Sequence, residues 1–216
     1  MEFITSEKQF QETDNFRYER LLYSHGYLKV AGCDEVGRGP LAGPVVAACV
    51  VLPLECDHSI FLDSKIISHL KRVGLCKVLQ DVGASIGIGL VSEKKIDQIN
   101  IHNGSLLAMK RAVANLAKCE DSPDFLLIDG KFPIPHPATQ QALIKGESKS
   151  SSIAAASIIA KVHRDALMVQ LHNKYPFYNF AKNKGYPTLE HRNAIIAHGP
   201  CPAHRRSFKG VMDDAS

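Results

Sequence analysis

The sequence lacks any apolar run approaching the roughly 18–20 residues that a membrane-spanning helix requires, so no membrane association is expected. The stretch from Met1 to Arg20 is polar and of mixed charge, unlike a signal peptide, which points to the cytoplasm. Cysteines are few, at positions 33, 49, 56, 76, 119 and 201, and no pair has the C-x-x-C spacing of a zinc site. Cys33 and Cys49 lie in apolar, strand-like runs, where thiols behave as small buried hydrophobes in a reducing compartment. No G-x-S-x-G elbow offers a covalent nucleophile. The glycine-rich stretch after Val36 lacks the Gly-Lys-Ser/Thr ending of a nucleotide-binding loop. Repeats, low-complexity tracts and linkers are also absent, so the 216 residues are expected to form one domain spanning 1–216.

What is present begins with an uneven charge. The net charge of +4 hides a first part, 1–130, with 14 Lys+Arg against 17 Asp+Glu, and a later part, 131–210, with 12 against 3. A basic C-terminal third suits a polyanion lying across that part of the fold.

The pattern of apolar residues predicts an α/β fold. Residues 6–24 read as a helix closed by Gly26, and residues 27–33 as a strand. The continuous run Val45 to Leu52 fits a strand buried on both faces. A helix is expected over 64–80, broken near Gly74, followed by a strand over 85–91. Ser92 has the position of an N-cap for a short helix through Ile99. A second helix over 105–119 places Leu106, Met109, Val113 and Leu116 on one face. Residues 125–128 form a short strand, 131–139 with three prolines a loop, and 142–144 another strand. A long helix covers 151–172. Gly185-Tyr186-Pro187 is a turn, after which Thr188 caps a helix ending before Gly199.

Four acids stand out. Asp34 and Glu35 end the first strand, and both can serve one site only if the strand stops or kinks there. Asp129 likewise follows four apolar residues, with Gly130 permitting close approach. Asp165 lies on the long helix, after the Ala-rich segment that lets that helix press on the sheet. Sites in open α/β sheets form at strand ends. Clustered carboxylates without Cys or His partners suit a hard divalent cation, Mg2+ or Mn2+. Two such ions activate water and stabilise the leaving oxygen of a phosphodiester.

Ala31-Gly-Cys-Asp-Glu-Val-Gly-Arg-Gly-Pro closely resembles the opening motif of bacterial ribonuclease HII. The resemblance continues through Leu127-Ile-Asp-Gly, Lys145-Gly-Glu-Ser, Ile153 to Asp165, Lys184-Gly-Tyr-Pro-Thr and His204-Arg-Arg-Ser-Phe, spanning roughly 28–208. It implies an RNase H-like mixed five-stranded sheet flanked by helices, with an N-terminal helical segment over about 1–26 and a C-terminal helical extension over about 188–216. It also implies an endonuclease that hydrolyses the RNA of RNA–DNA hybrids and cuts 5′ of single ribonucleotides in duplex DNA. The ends left would be 3′-OH and 5′-phosphate, with Mn2+ or Mg2+ on Asp34, Glu35, Asp129 and Asp165. Gly37, Arg38 and Gly39 would contact the nucleic acid around the ribose 2′-OH, the group that tells RNA from DNA. Tyr186 would stack at the RNA–DNA junction. Lys145, Ser148 and Lys149 would hold phosphates with help from the N-terminus of the next helix. Arg205 and Arg206 would either join them or brace the C-terminal helices. Glu147 stands where the family more often has Asp. A monomer is expected, and the C-terminus has no obvious peptide for a replication clamp. The sibling ribonuclease HIII carries an added N-terminal domain, for which roughly 27 residues before the first strand leave no room.

Overall fold

The computed structural model describes residues 14–62, 64, 67–118 and 122–212. Its strands are β1 (Val30–Val36), β2 (Val45–Val51), β3 (Ser85–Val91), β4 (Phe125–Asp129) and β5 (Thr139–Leu143). They form a five-stranded sheet in the order β3-β2-β1-β4-β5. β1, β2 and β3 pair antiparallel, whereas β1, β4 and β5 pair parallel, so the sheet is mixed as expected.

The α-helices are α1 (Arg17–Ser24), α2 (His69–Asp81), α3 (Glu93–Ala117), α4 (Ser151–Lys174), α5 (Phe180–Asn183) and α6 (Leu189–His198), of which α3 covers one face of the sheet and α2 and α4 the other. Alternate side chains divide between two cores. Ala31, Cys33, Ala47 and Ile128 pack with α3. Val46, Ala48 and Val50 pack with α2 and α4.

Glycines set how closely the helices approach. A methyl group at Gly32 would lie 2.2 Å from the main chain of Ile153, so α4 rests directly on β1. Gly87 and Gly89 do the same for α3, where a methyl group would come within 2.1 and 2.0 Å of the carbonyls of Ala112 and Ala108. Gly37 lies against Arg164 much as Gly32 lies against Ser152 and Ile153, so α4 runs alongside β1 in the same direction.

Some boundaries differ from expectation. α2 starts at His69, capped by Ser68, and runs through Gly74 unbroken, because a single glycine weakens a helix without ending it. The expected break after Ile99 is present, since α3 is two helices joined at Asn100, whose φ of 66° turns the chain while its side chain caps Asn103; the second helix starts earlier than expected. β5 begins at Thr139, inside the expected loop; it pairs only with β4, and this edge position tolerates the polar Thr-Gln-Gln. In the C-terminal extension, α6 is the only helix after residue 188 among the described residues. The expected helix over 6–24 is present from Arg17; residues 14–16 lead into it without being helical, and residues 6–13 lie outside the described residues.

Candidate active site

β1 and β4 run parallel with Cys33 beside Ile128, so the next residues, Asp34 and Asp129, emerge at the same end of the sheet. Asp34 shares its face with Gly32 and therefore looks toward α4. β1 stays regular through Glu35 and Val36, paired with Ala47 and Val46, and stops there before Gly37, so of the two expected alternatives the strand ends and does not kink. Glu35 accordingly leaves the opposite face and reaches the strand end beside Arg38, which donates to it at 3.2 Å. Arg38 is half exposed, so this pair contributes little to stability.

The carboxylates feel one another. Burial first, then the charges of Glu35 and Asp129 and more weakly Glu147, push Asp34 well above the usual carboxylate range. Burial and Asp129 also raise Glu35, against the pull of Arg38. The main-chain N–H of Gly146 donates to Asp129 at 2.7 Å, which lays the Lys145–Ser148 turn over that acid. The same turn carries Glu147, which is 9% exposed and accepts from Ser157 at 3.2 Å. Ser157, on α4, also hydrogen-bonds Asp34 and touches Ser64 at 2.8 Å. Among the described residues, no three His, Cys, Asp or Glu side chains close into a ready metal cage.

Asp165 is placed differently. It sits eight residues beyond Ser157 on α4, about 12 Å further along the helix axis. There it accepts from Lys161 at 2.8 Å and lies close enough to Lys184 to favour that lysine's charge. The structure thus brings Asp34, Glu35 and Asp129 together with Glu147, while Asp165 faces cations. The sequence signal for Glu147 was its place in Lys145-Gly-Glu-Ser. That for Ser157 was a lone hydroxyl in an alanine run.

Beyond β1 the chain turns at Gly37, with φ of 96° and no space for a side chain beside Arg164. Gly39 lies against Tyr186: a methyl group on it would stand 3.6 Å from the Tyr186 ring, which is 41% exposed. Arg38 is exposed between them. Lys145 and Ser148 are exposed and Lys149 half-buried on the turn before α4. The N-terminus of α4 cannot assist them as expected. The buried carboxylate of Glu19 already accepts from Ser152 N–H at 3.0 Å and from the Ser150 hydroxyl at 2.5 Å. Arg205 is fully buried, and all its bonds go to main-chain carbonyls of the 37–43 loop, so it braces and does not reach a phosphate. Arg206 contributes its main-chain N–H to Asp97 at 3.0 Å.

Comparison with known proteins agrees with this architecture. The family model described as Ribonuclease HII matches residues 31–211. A Ribonuclease HII of Desulfotalea psychrophila is 60% identical over 200 residues, 93% of this chain and 89% of its own length. The crystal structure of ribonuclease H2 from Pyrococcus horikoshii OT3 aligns with TM-score 0.68 at 26% identity, covering 85% of this chain and 95% of its own. The RNase HII of Archaeoglobus fulgidus, solved in complex with PCNA, aligns with TM-score 0.64 at 25% identity, over 84% and 96%. Motifs, fold and relatives coincide over nearly the whole chain, which belongs to the ribonuclease HII family of ribonuclease H endonucleases.

Proposed function

We propose that this protein hydrolyses the RNA strand of RNA–DNA hybrids and cuts on the 5′ side of a single ribonucleotide in duplex DNA. The reading rests on one juxtaposition. Carboxylates from β1, β4 and the turn before α4 gather at the ends of the two central strands, and the loop leaving β1 lies against Tyr186. The all-oxygen donor set, with its mutual repulsion, fits hard divalent cations. Asp34, Glu35, Asp129 and Glu147 would hold them. Glu147 takes the place that the sequence motif gave to Asp165, which is held by Lys161. Bound there, Mn2+ or Mg2+ would lower the pKa of water and stabilise the leaving oxygen. Hydrolysis breaks the bond from phosphorus to the 3′-oxygen, which leaves as 3′-OH while the phosphate stays on the 5′ side of the ribonucleotide.

The protein's own groups supply selection and orientation. Main-chain groups of Gly37–Gly39 approach the 2′-OH without side-chain obstruction, Tyr186 stacks on the adjoining sugar, and Lys145, Ser148 and Lys149 hold phosphates. The test is a duplex with one embedded ribonucleotide, assayed with Mn2+ or with chelator. Cutting only with metal, 5′ of the ribonucleotide, is expected; cutting an all-DNA duplex at a similar rate would overturn the substrate assignment. Glu147→Gln should cost about a hundredfold or more in kcat. Asp165→Asn should cost much less, and the reverse ranking would restore Asp165 as the fourth acid.

A further inference from the structure

Two elements proposed to read the ribonucleotide, the Gly37–Gly39 main chain and Tyr186, come from distant parts of the chain. Arg164 and the Leu41–Gly185 main-chain bond join the two segments directly, and the segment 203–205 ties to both from the other side. We propose that His191, His204 and Arg205 are positioning residues for ribonucleotide recognition, which hold the loop and Tyr186 in one relation without touching the substrate. This rests on the recognition role given above to the loop and Tyr186.

Arg205 orients the loop. Its guanidinium donates to the carbonyls of Gly37 at 2.6 Å, Arg38 at 3.0 Å, Pro40 at 2.8 Å and Gly43 at 2.8 Å. In a trans peptide the C=O and the following N–H point in opposite directions. Drawing the carbonyls of Gly37 and Arg38 inward therefore turns the N–H groups of Arg38 and Gly39 away from the guanidinium. A sugar hydroxyl or phosphate oxygen can accept from N–H groups so presented. The main chain of the same segment ties both partners: Arg205 N–H donates to Leu41 O at 2.8 Å, and Leu41 N–H to Gly185 O at 2.8 Å.

His204 and His191 fix Tyr186. The Nδ1 of His191 lies 2.8 Å from the Tyr186 carbonyl, and a carbonyl can only accept, so Nδ1 carries the proton. The Nε2 of neutral His191 must then accept, and its partner at 3.0 Å is Nε2 of His204, which donates. That leaves Nδ1 of His204 bare, and the Cys201 N–H donates to it at 3.0 Å, so the Cys201 carbonyl 3.3 Å from the same nitrogen receives no proton from it. One directional chain thus runs from Cys201 through both rings to the Tyr186 main chain. Neutrality is favoured because burial, with the neighbouring ring's charge, pushes His204 down to about 4, and burial also lowers His191. The rings of Tyr178 and Phe180 wall the pair edge-on.

The measurement is the ratio of kcat/KM on a one-ribonucleotide duplex to kcat/KM on a continuous RNA–DNA hybrid, with Mn2+ and the full chain. Tyr186→Ala sets the reference loss. His204→Phe, His191→Gln and Arg205→Lys should each lower the ratio by about tenfold. His191→Asn, whose amide N–H can replace Nδ1–H toward Tyr186, should keep the ratio within about threefold of the parent. In a Tyr186→Ala background, His191→Gln should change the ratio by less than about twofold, because coupled residues are not additive. If Tyr186→Ala collapses the ratio while His191→Gln, His204→Phe and Arg205→Lys leave it intact, positioning is refuted and the Tyr186 role survives. An equal loss in His191→Asn and His191→Gln also refutes it. If Tyr186→Ala leaves the ratio unchanged, the recognition role fails and this inference falls with it.

Discussion

Asp34 shows how a residue proposed for the active site opposes stability. It is 6% exposed and sits among Glu35, Asp129 and Glu147, all of which raise its pKa in the fold. A carboxyl raised on folding favours the folded chain while protonated, below its unfolded pKa near 3.8. That advantage is lost as pH rises through the raised folded value. At neutral pH, in the presence of chelator, Asp34 therefore costs the fold stability, either as a buried charge or through the proton that folding makes it hold. Asp34→Asn keeps an oxygen to accept from Glu35 N–H, as Asp34 Oδ1 does at 2.7 Å, and removes the charge. We expect Asp34→Asn to abolish cleavage yet melt higher than the parent in chelator at pH 7, each kcal/mol regained moving the midpoint by roughly 2–4 °C. The gap should close near pH 4, and in Mn2+ the order should reverse. A lower midpoint for Asp34→Asn at pH 7 in chelator would show that its charge is already compensated inside the protein.

Elements record which physical signals a sequence displays and which it withholds. Val45–Val51 and Phe125–Asp129 were legible because strands covered on both faces are continuous apolar runs. β5 was half-read, since an edge strand with Thr-Gln-Gln needs no apolar pattern. Asp34, Glu35 and Asp129 were legible as acids ending apolar strands. The proposed preference for Glu147 over Asp165 was not, because it depends on the turn before α4 folding over Asp129 and on Asp165 lying beside Lys161 on α4. Phosphate-binding and bracing arginines also look alike in sequence: only burial shows that Arg205 faces carbonyls. Two glycines make the element scale testable. At Gly32 an added methyl would meet the main chain of α4 at 2.2 Å, whereas at Gly74, inside α2, nothing lies within 4 Å. Gly32→Ala should force α4 off β1 and destabilise by about 3 kcal/mol or more. Gly74→Ala should stabilise by about 0.5–1 kcal/mol through helix propensity alone. Denaturant melts of both variants check this; a Gly32→Ala cost below that of an ordinary surface change would mean the helix and strand are not in such close contact.

At the scale of the whole molecule, the basic C-terminal third overstates the charge offered to a polyanion. Of the 12 cations between 131 and 210, Arg164 and Arg205 are fully buried. Arg164 donates to the carbonyls of Pro44, Ala42 and Lys184, so neither guanidinium is available to a phosphate. Burial lowers Arg164 to about 10 and Arg205 to about 9, which still leaves both charged at neutral pH. Their field adds to the potential while any phosphate contact must come from other residues, for which we propose the exposed Lys145 on the turn over Asp129. A phosphate contact releases counterions, so it has a signature in salt that a long-range field lacks. Binding of hybrid by the Asp34→Asn protein should weaken linearly in log salt, and Lys145→Ala should reduce that slope by about 0.9. The same substitution should weaken hybrid and one-ribonucleotide duplex alike, because phosphates carry no information about the sugar. A slope unchanged by Lys145→Ala would leave this lysine as part of the field only, and would shift the phosphate track away from the turn that carries Glu147.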